Sequence, residues 1–452
     1  MPVNIRCLAV SAVIAVGLCA AQIIGNPILI LGVLALFLLL IGWTSFQGFT
    51  LPILLFFLPW SQLLKMAPGS HSFYTFALVL VCAVGAFQNR LKFKKYHVLS
   101  VFGLLVMTLT AKLLHGYGLE FSYIAFFMLL VLFPVVREEI HQRKYDFYVI
   151  VLFFSVGVIL AAFCAAQFSA YPSLRRYITV HAYLNIRRTS GFYGDPNFYM
   201  AQITAALSGC LVLLLKTVGK KRIAALGVLL FLLLYYGFFS GSKTFVLVVA
   251  LLAALWIIEL IKMRGRAGLR MVLLFGGALL ALYVASSAMF SDLIGVLLAR
   301  FSYTTDLSSF TTGRTELWAG YVEALLNDIR LLLLGTGFTN VKYDDYASHN
   351  TILQILYQFG ILGTPMLIAW VLLFFQDLFK VPKLEKRQLI NVLILLSGAF
   401  IPWLALDALF FDEFFLLQWF VYMGMQELLW TAETKALAEQ SASGHGRVRI
   451  KF

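Results

Sequence analysis

Charge is what this chain has least of. Only 12% of its 452 residues are Asp, Glu, Lys or Arg, about half the share of an ordinary soluble protein, which is roughly 25%. Apolar residues take their place at 61%, a balance that excludes a cytosolic globular enzyme and a disordered chain. Acidic residues are scarcer than basic ones, 21 against 35, and the formal net charge is +14. Cysteine is also scarce. Cys7, Cys19, Cys82, Cys164 and Cys210 all fall in or near apolar runs, with no CxxC spacing, which argues against a disulfide framework or a zinc site. There is no GxxxxGK(S/T) loop and no strand-borne GxGxxG, so ATP-driven transport by this chain alone is disfavoured.

Long apolar runs are present instead. They predict spans near 8–24, 27–46, 51–66, 74–88, 98–114, 120–136, 147–168, 198–215, 223–240, 244–261, 271–290, 351–376, 389–406 and 414–430. A helix of ~20 residues crosses the ~30 Å hydrocarbon core. The runs lack the alternation of a membrane barrel. The expected fold is an all-α polytopic integral membrane protein with about 12–14 transmembrane helices, the closely spaced second to fourth spans being the least defined.

Basic clusters set the orientation. Arg90, Lys92, Lys94 and Lys95 form one; Arg137, Arg143 and Lys144 another; then Lys216, Lys220, Lys221 and Arg222; Lys262, Arg264, Arg266 and Arg270; and Lys380, Lys383, Lys386 and Arg387. All fall on one side of the span map, together with both termini, which the positive-inside bias assigns to the cytoplasm. The excess of positive charge is thus an orientation signal and not a nucleic-acid footprint. Arg6 followed by an apolar run to Ala21 has a signal peptide's outline, but a second run follows at once, and a retained first span is expected. The organisation reads as N-terminal spans over 1–168, a core over 169–376, C-terminal spans over 377–430 and a polar cytoplasmic tail over 431–452.

Two loops on the outer side are long, 169–197 and 291–350, and both are rich in apolar and aromatic residues, so they are expected to be ordered and to carry short helices. The first holds Arg175, Arg176, Arg187 and Arg188 with one acid, Asp195. Arginine's planar fork suits a diphosphate or carboxylate. Arg175 and Arg176 suit lipid head groups equally well, whereas Arg188 beside a Gly-containing turn points to function. Asp195-Pro196-Asn197 reads as a helix start. Lys243, at the outer end of the tenth span, runs against the positive-inside bias; snorkelling and an anion contact both explain it.

In the second loop, Leu317, Tyr321 and Leu325 recur at helical spacing beside Trp318 and Val322, predicting an amphipathic surface helix capped by Thr311 or Thr312. Arg314 then sits where the helix dipole disfavours a cation. An anionic ligand would hold it there, as would a pair with Glu316 or Asp306. His349, beside Asn350 at the mouth of the next span, can accept a proton near neutral pH.

Three blocks together resemble the O-antigen ligase and O-antigen polymerase family of bacterial envelopes. They are Arg188-Thr189-Ser190-Gly191 with Asp195-Pro196-Asn197; Thr312-Gly313-Arg314 with Trp318 and the Gly335-Thr336-Gly337-Phe338 turn; and Ser348-His349-Asn350 with Gln354 and the run from Gly360 to Gly363. The resemblance covers roughly 185–365. It implies a glycosyltransferase in the bacterial cytoplasmic membrane, with its active site on the extracytoplasmic side. Such an enzyme moves a glycan from an undecaprenyl-diphosphate carrier to a sugar hydroxyl acceptor of a capsule, exopolysaccharide or O-antigen, with neither metal nor cofactor. By the same resemblance His349 is the general base. Arg314 and Arg188 bind the diphosphate, Asn197 and Asn350 support the site, and other polysaccharide-assembly membrane proteins are partners. The family's Ser-Arg motif after the Gly-rich link reads Ser242-Lys243 here, which keeps the charge and loses the bidentate fork.

The motifs fit a polymerase or a ligase, with a lean to the polymerase from the Gly-Asp-Pro-Asn form and the short outer loops. A transporter or lipid-linked glycan flippase is the alternative from another class. It calls for ionisable groups in mid-span or paired broken helices, whereas the chain concentrates its polar residues in outer loops. A non-catalytic assembly scaffold, the third reading, predicts that His349 is dispensable.

Overall fold

A computed structural model describes residues 3–67, 70–88, 94–141, 145–175, 177–178, 188–216, 219–270, 313–379 and 388–442, with isolated positions between 272 and 311. Every regular element among them is helical, apart from one isolated bridge between Tyr343 and Tyr346. In chain order these are α1 (Val3–Ile24), α2 (Pro27–Gln47), α3 (Thr50–Phe57), α4 (Phe73–Phe87), α5 (Lys95–His115), α6 (Phe121–His141), α7 (Phe147–Phe168) and α8 (Pro172–Arg175). Then follow α9 (Pro196–Lys216), α10 (Lys220–Phe238), α11 (Lys243–Arg264), α12 (Arg314–Asn327), α13 (Ile329–Leu334), α14 (Thr351–Phe379), α15 (Leu389–Phe400) and α16 (Glu413–Ala442).

Eight of these helices, α1, α2, α5, α7, α9, α10, α11 and α14, are long and apolar enough to cross a bilayer, and four more apolar helical segments are shorter. Their outward faces carry exposed Val13, Ile28, Leu39, Leu99, Phe102 and Leu113, side chains that lipid solvates and water does not. The protein is therefore an all-α, multi-pass membrane protein. All but residues 272, 273, 276 and 277 of the expected span at 271–290, together with Arg176, Arg187, Asp306 and Thr312 and the basic residues at 90, 92, 143, 144 and 380–387, lie outside the described residues.

The third expected span, 51–66, is not a full span. α3 has 8 residues, a rise of only about 12 Å, and a 3₁₀ turn over Leu58–Trp60, with Pro59 inside it, follows at once. It is buried throughout, and its first amides need an acceptor. Glu139 Oε1 supplies one, accepting from Thr50 N at 2.7 Å and Leu51 N at 3.1 Å. At the other end of the chain, α16 continues to Ala442 without a break at 431. The stretch TAETKALAEQSA is dominated by good helix formers.

Helices in lipid gain little from the hydrophobic effect on pairing, so close contact and interhelical hydrogen bonds hold them together. α9 is buried along almost its whole length and lies at the centre, packed by α7, α10, α11 and α15. Gly398 of α15 lets α15 approach α9, since a Cβ there would stand 2.4 Å from the Ser208 Cβ. Thr204 Oγ1 donates to the Gly398 carbonyl at 2.8 Å across the same contact. Gln202 Nε2 of α9 donates to Glu413 Oε1 of α16 at 2.7 Å. These contacts fix the depth of α9 and so the position of the residues at its N-terminus.

α14 is broken at Gly360, whose φ is 60° and ψ −175°, a conformation almost confined to glycine. The break frees carbonyls that lipid cannot satisfy. The Gly335–Phe338 turn docks into it. Thr336 N donates to the Tyr357 carbonyl at 3.0 Å, and Gly337 N to the Gln358 carbonyl at 3.0 Å. Gln358 Oε1 accepts from Thr336 Oγ1 and from Thr339 N, each at 2.7 Å.

Candidate active site

One cavity of about 1020 Å³ gathers residues from five separate stretches of chain. Arg188, Asn197, Lys243, Arg314 and His349 all line it. The first residues of α9, α11 and α12 stand in its wall, and His349 lies two residues before α14. Helix N-termini carry partial positive charge and unpaired amides. The side chains alone are balanced, because Asp195, Glu316 and Asp344 face the cavity with the three cations. The helix ends tilt that balance towards binding an anion. An apolar flank follows along α11 and the 3₁₀ segment after α15, through Leu247, Val248, Leu251, Ile401 and Leu404.

Each element is set by local chemistry. Asp195 Oδ1 accepts from Asn197 N at 2.7 Å, closing the turn into α9. Ser242 caps α11, its hydroxyl accepting from Phe245 N at 3.4 Å and donating to Asn197 Oδ1 at 3.2 Å. Asn197 thus ties the start of α9 to the start of α11 and places Lys243. Arg188 Nε donates to the Ser240 carbonyl at 2.8 Å, which orients its guanidinium from the same turn. Arg314 is the first residue of α12, after Gly313 at φ 78°. The cap expected from a threonine takes a looser form, with Thr311 Oγ1 accepting from Thr315 N at 3.4 Å.

α12 carries its apolar stripe inward, Tyr321 and Leu325 being buried against Leu331 and Tyr357. It also clamps the loop before α14. Trp318 Nε1 donates to the Ser348 carbonyl at 2.9 Å, and Tyr321 OH to the Tyr346 carbonyl at 2.6 Å. His349 itself has φ 49°, left-handed backbone that a non-glycine residue adopts at a cost. Burial lowers the pKa of its imidazole below the ordinary histidine value, and the Arg314 charge lowers it further, against the opposing pull of Asp407 and Asp195. The neutral imidazole, able to accept a proton, is thereby favoured at neutral pH.

Asn350 supports the site from its edge. It is absent from the cavity wall and caps α14, Oδ1 accepting from Ile352 N at 3.0 Å and Leu353 N at 3.2 Å. Arg175 lines a neighbouring cavity. The residue that sequence reasoning missed is Asp407. One of its oxygens accepts from the Ser348 hydroxyl, and Oδ2 accepts from His349 N at 3.0 Å. It lies in a stretch, DALFFDE, where acids interrupt an apolar run in a chain poor in acids. That interruption was the available signal. The same stretch hooks the start of α14, since Thr351 Oγ1 donates to the Leu406 carbonyl at 2.7 Å and accepts from Ala408 N at 2.9 Å.

No family model matches the chain, and no curated protein matches it.

Proposed function

We propose that this cavity is the active site of a membrane glycosyltransferase. In this reading it transfers a glycan from an isoprenyl-diphosphate carrier, undecaprenyl diphosphate in bacteria, to a sugar hydroxyl on the extracytoplasmic side of the cytoplasmic membrane. The observation that carries the reading is the convergence of one histidine and three cations, from segments far apart in sequence, on a single cavity with an apolar flank. His349 takes the proton of the acceptor hydroxyl as its oxygen attacks the anomeric carbon. The bond from that carbon to the diphosphate oxygen breaks, and the diphosphate leaves with the electron pair. Arg314, Arg188, Lys243 and the helix ends stabilise the charge on the leaving oxygens, and the apolar flank accommodates the isoprenoid.

The transporter reading gains less support. Buried ionisable groups do occur, but Glu139 caps α3 from the last turn of α6. Lys112 lies in the last turn of α5, where Nζ donates to the Gly118 carbonyl at 3.1 Å. The break in α14 is filled by the Gly335–Phe338 turn.

The test is transfer by the purified protein in lipid nanodiscs, using a lipid-linked oligosaccharide and reading product size. Wild type elongates the glycan, and His349→Ala protein that folds normally does not. Full activity in that variant would defeat the reading. In cells lacking the protein, single repeat units left on the carrier identify a polymerase, and long chains left on the carrier identify a ligase.

A further inference from the structure

The segment 401–412, which carries Asp407, is a wall of two cavities. Ile401, Leu404 and Ala405 face the first. Leu409, Phe410, Phe411 and Asp412 face another, of about 290 Å³. Its remaining walls come from the start of α4, the start of α6 and the chain after α13, through Thr75, Ser122 and Asn340. His71, Phe121 and Asn340 are exposed, so the space is reached from solvent at its rim.

The lining pairs aromatic rings with hydrogen-bonding groups. Glu120 Oε2 accepts from Asn340 Nδ2 at 2.8 Å and from the Ser122 hydroxyl at 3.2 Å, which fixes the carboxylate between two elements. Phe126 stacks on Phe338 with ring centroids 4.3 Å apart, and the His71 ring lies 4.2 Å from that of Phe121. The two acids do not make this a cation site. Lys112 interacts with Glu120 and Lys65 with Asp412. Both lysines stand outside the described lining, so each carboxylate is offset from behind. Burial and the neighbouring Glu413 charge raise the Asp412 pKa to about 7, against the pull of Lys65. Near neutral pH its carboxyl can therefore donate as well as accept.

A volume of about 290 Å³ is at the small end of organic-ligand sites, roughly 300–1,000 Å³. It suits a single ring and not an isoprenoid with its diphosphate. Carboxyl, amide and hydroxyl groups around the rim match a ring that carries several hydroxyls, and phenylalanine rings match its C–H surface.

We propose that this cavity is a subsite for one uncharged sugar unit of the glycan, separate from the unit that reacts. The inference rests on the glycosyl-transfer reading and extends it from the diphosphate to the sugar chain. A sugar with a carboxylate is disfavoured there, because it would face Glu120 and Asp412.

The experiment uses the full chain in phosphatidylcholine nanodiscs and saturation-transfer NMR with glucose, galactose, N-acetylglucosamine and glucuronate. Binding of at least one of the three neutral sugars is expected, with glucuronate at least tenfold weaker. Glu120→Gln is expected to weaken the neutral sugar about tenfold through loss of a charge-assisted contact. Ser122→Trp, which fills the space from α6, is expected to abolish its binding, while geranylgeranyl diphosphate still binds the first cavity. Absence of neutral-sugar binding in wild type overturns the subsite. So does unchanged binding in both variants, or glucuronate binding as tightly as the neutral sugars. Transfer that depends on His349 without any neutral-sugar binding defeats the subsite alone. Neutral-sugar binding that depends on Glu120, in a protein with no transfer activity, keeps the subsite and defeats the glycosyl-transfer reading.

Discussion

Asp407 grips His349 by its backbone. Oδ2 accepts from the His349 amide at 3.0 Å while the other oxygen accepts from the Ser348 hydroxyl. The carboxylate thus holds a residue at φ 49°, a strained conformation that persists only where its surroundings impose it. With Trp318 Nε1 donating to the Ser348 carbonyl, two elements distant in sequence hold both polar groups of the peptide that joins Ser348 to His349.

Asp407→Ala removes that grip and leaves the cations in place. Transfer is expected to fall about 100-fold, as for a reacting group misplaced by about 1 Å. Binding of geranylgeranyl diphosphate is expected to stay within about twofold. Equal loss of binding and turnover would show that Asp407 supports the whole cavity and not the histidine.

The pH profile follows from the charges around His349. Burial and Arg314 lower its pKa, so the acid limb of transfer is expected below the ordinary histidine value of about 6.5, with activity rising as the imidazole loses its proton. Asp407 opposes the lowering. Asp407→Asn is therefore expected to move the limb to lower pH, and Arg314→Gln to higher pH at reduced rate. Shifts of the opposite sign in both variants would remove His349 as the base.

The class of fold was legible because apolar run length is a physical requirement of the bilayer. Run length failed at 51–66, where an apolar stretch is buried in protein instead of crossing lipid; hydropathy alone does not separate the two solvents. His349, Arg314, Arg188 and Lys243 were legible as polar residues out of place among apolar runs, Asn197 only through the family resemblance, and the structure brings all five to one cavity. Asn350 caps α14, one residue after His349, and a helix cap and a site residue both require a short polar side chain. Asp407 lies 58 residues from the His349 backbone it holds, and no local pattern links them.

Gly360→Ala tests the broken helix. A Cβ at Gly360 would lie 2.4 Å from the Leu333 carbonyl oxygen, in a backbone conformation with φ 60°. The variant is expected to lose roughly 1–3 kcal/mol from backbone strain, with more from the clash, and to show a lower melting temperature in detergent. Gly227→Ala in α10, where nothing lies within 4 Å of the added methyl, is expected to melt no lower than wild type, since alanine favours a helix over glycine. Equal losses in both would point to general insertion damage and not to the Gly335–Gly360 junction.

Lys243 and Arg314 carry the same charge but are expected to tolerate exchange differently. Lys243 is the first residue of α11, placed by the Ser242 cap and its bond to Asn197. Its ammonium is a compact point charge on a flexible stem, which an arginine can replace without loss of charge. Lys243→Arg is therefore expected to retain transfer within about threefold, and Lys243→Gln to lose about tenfold or more, the worth of one charge-assisted contact. Arg314 starts α12 in the cavity wall, where its planar fork can grip two oxygens of one diphosphate at once. Arg314→Lys keeps the charge and discards the fork. It is expected to lose about tenfold in kcat/KM, although Lys243→Arg loses little. Measuring both swaps in one transfer assay separates geometry from charge. Equal tolerance at the two positions would reduce Arg314 to a point charge and remove the bidentate grip from the mechanism.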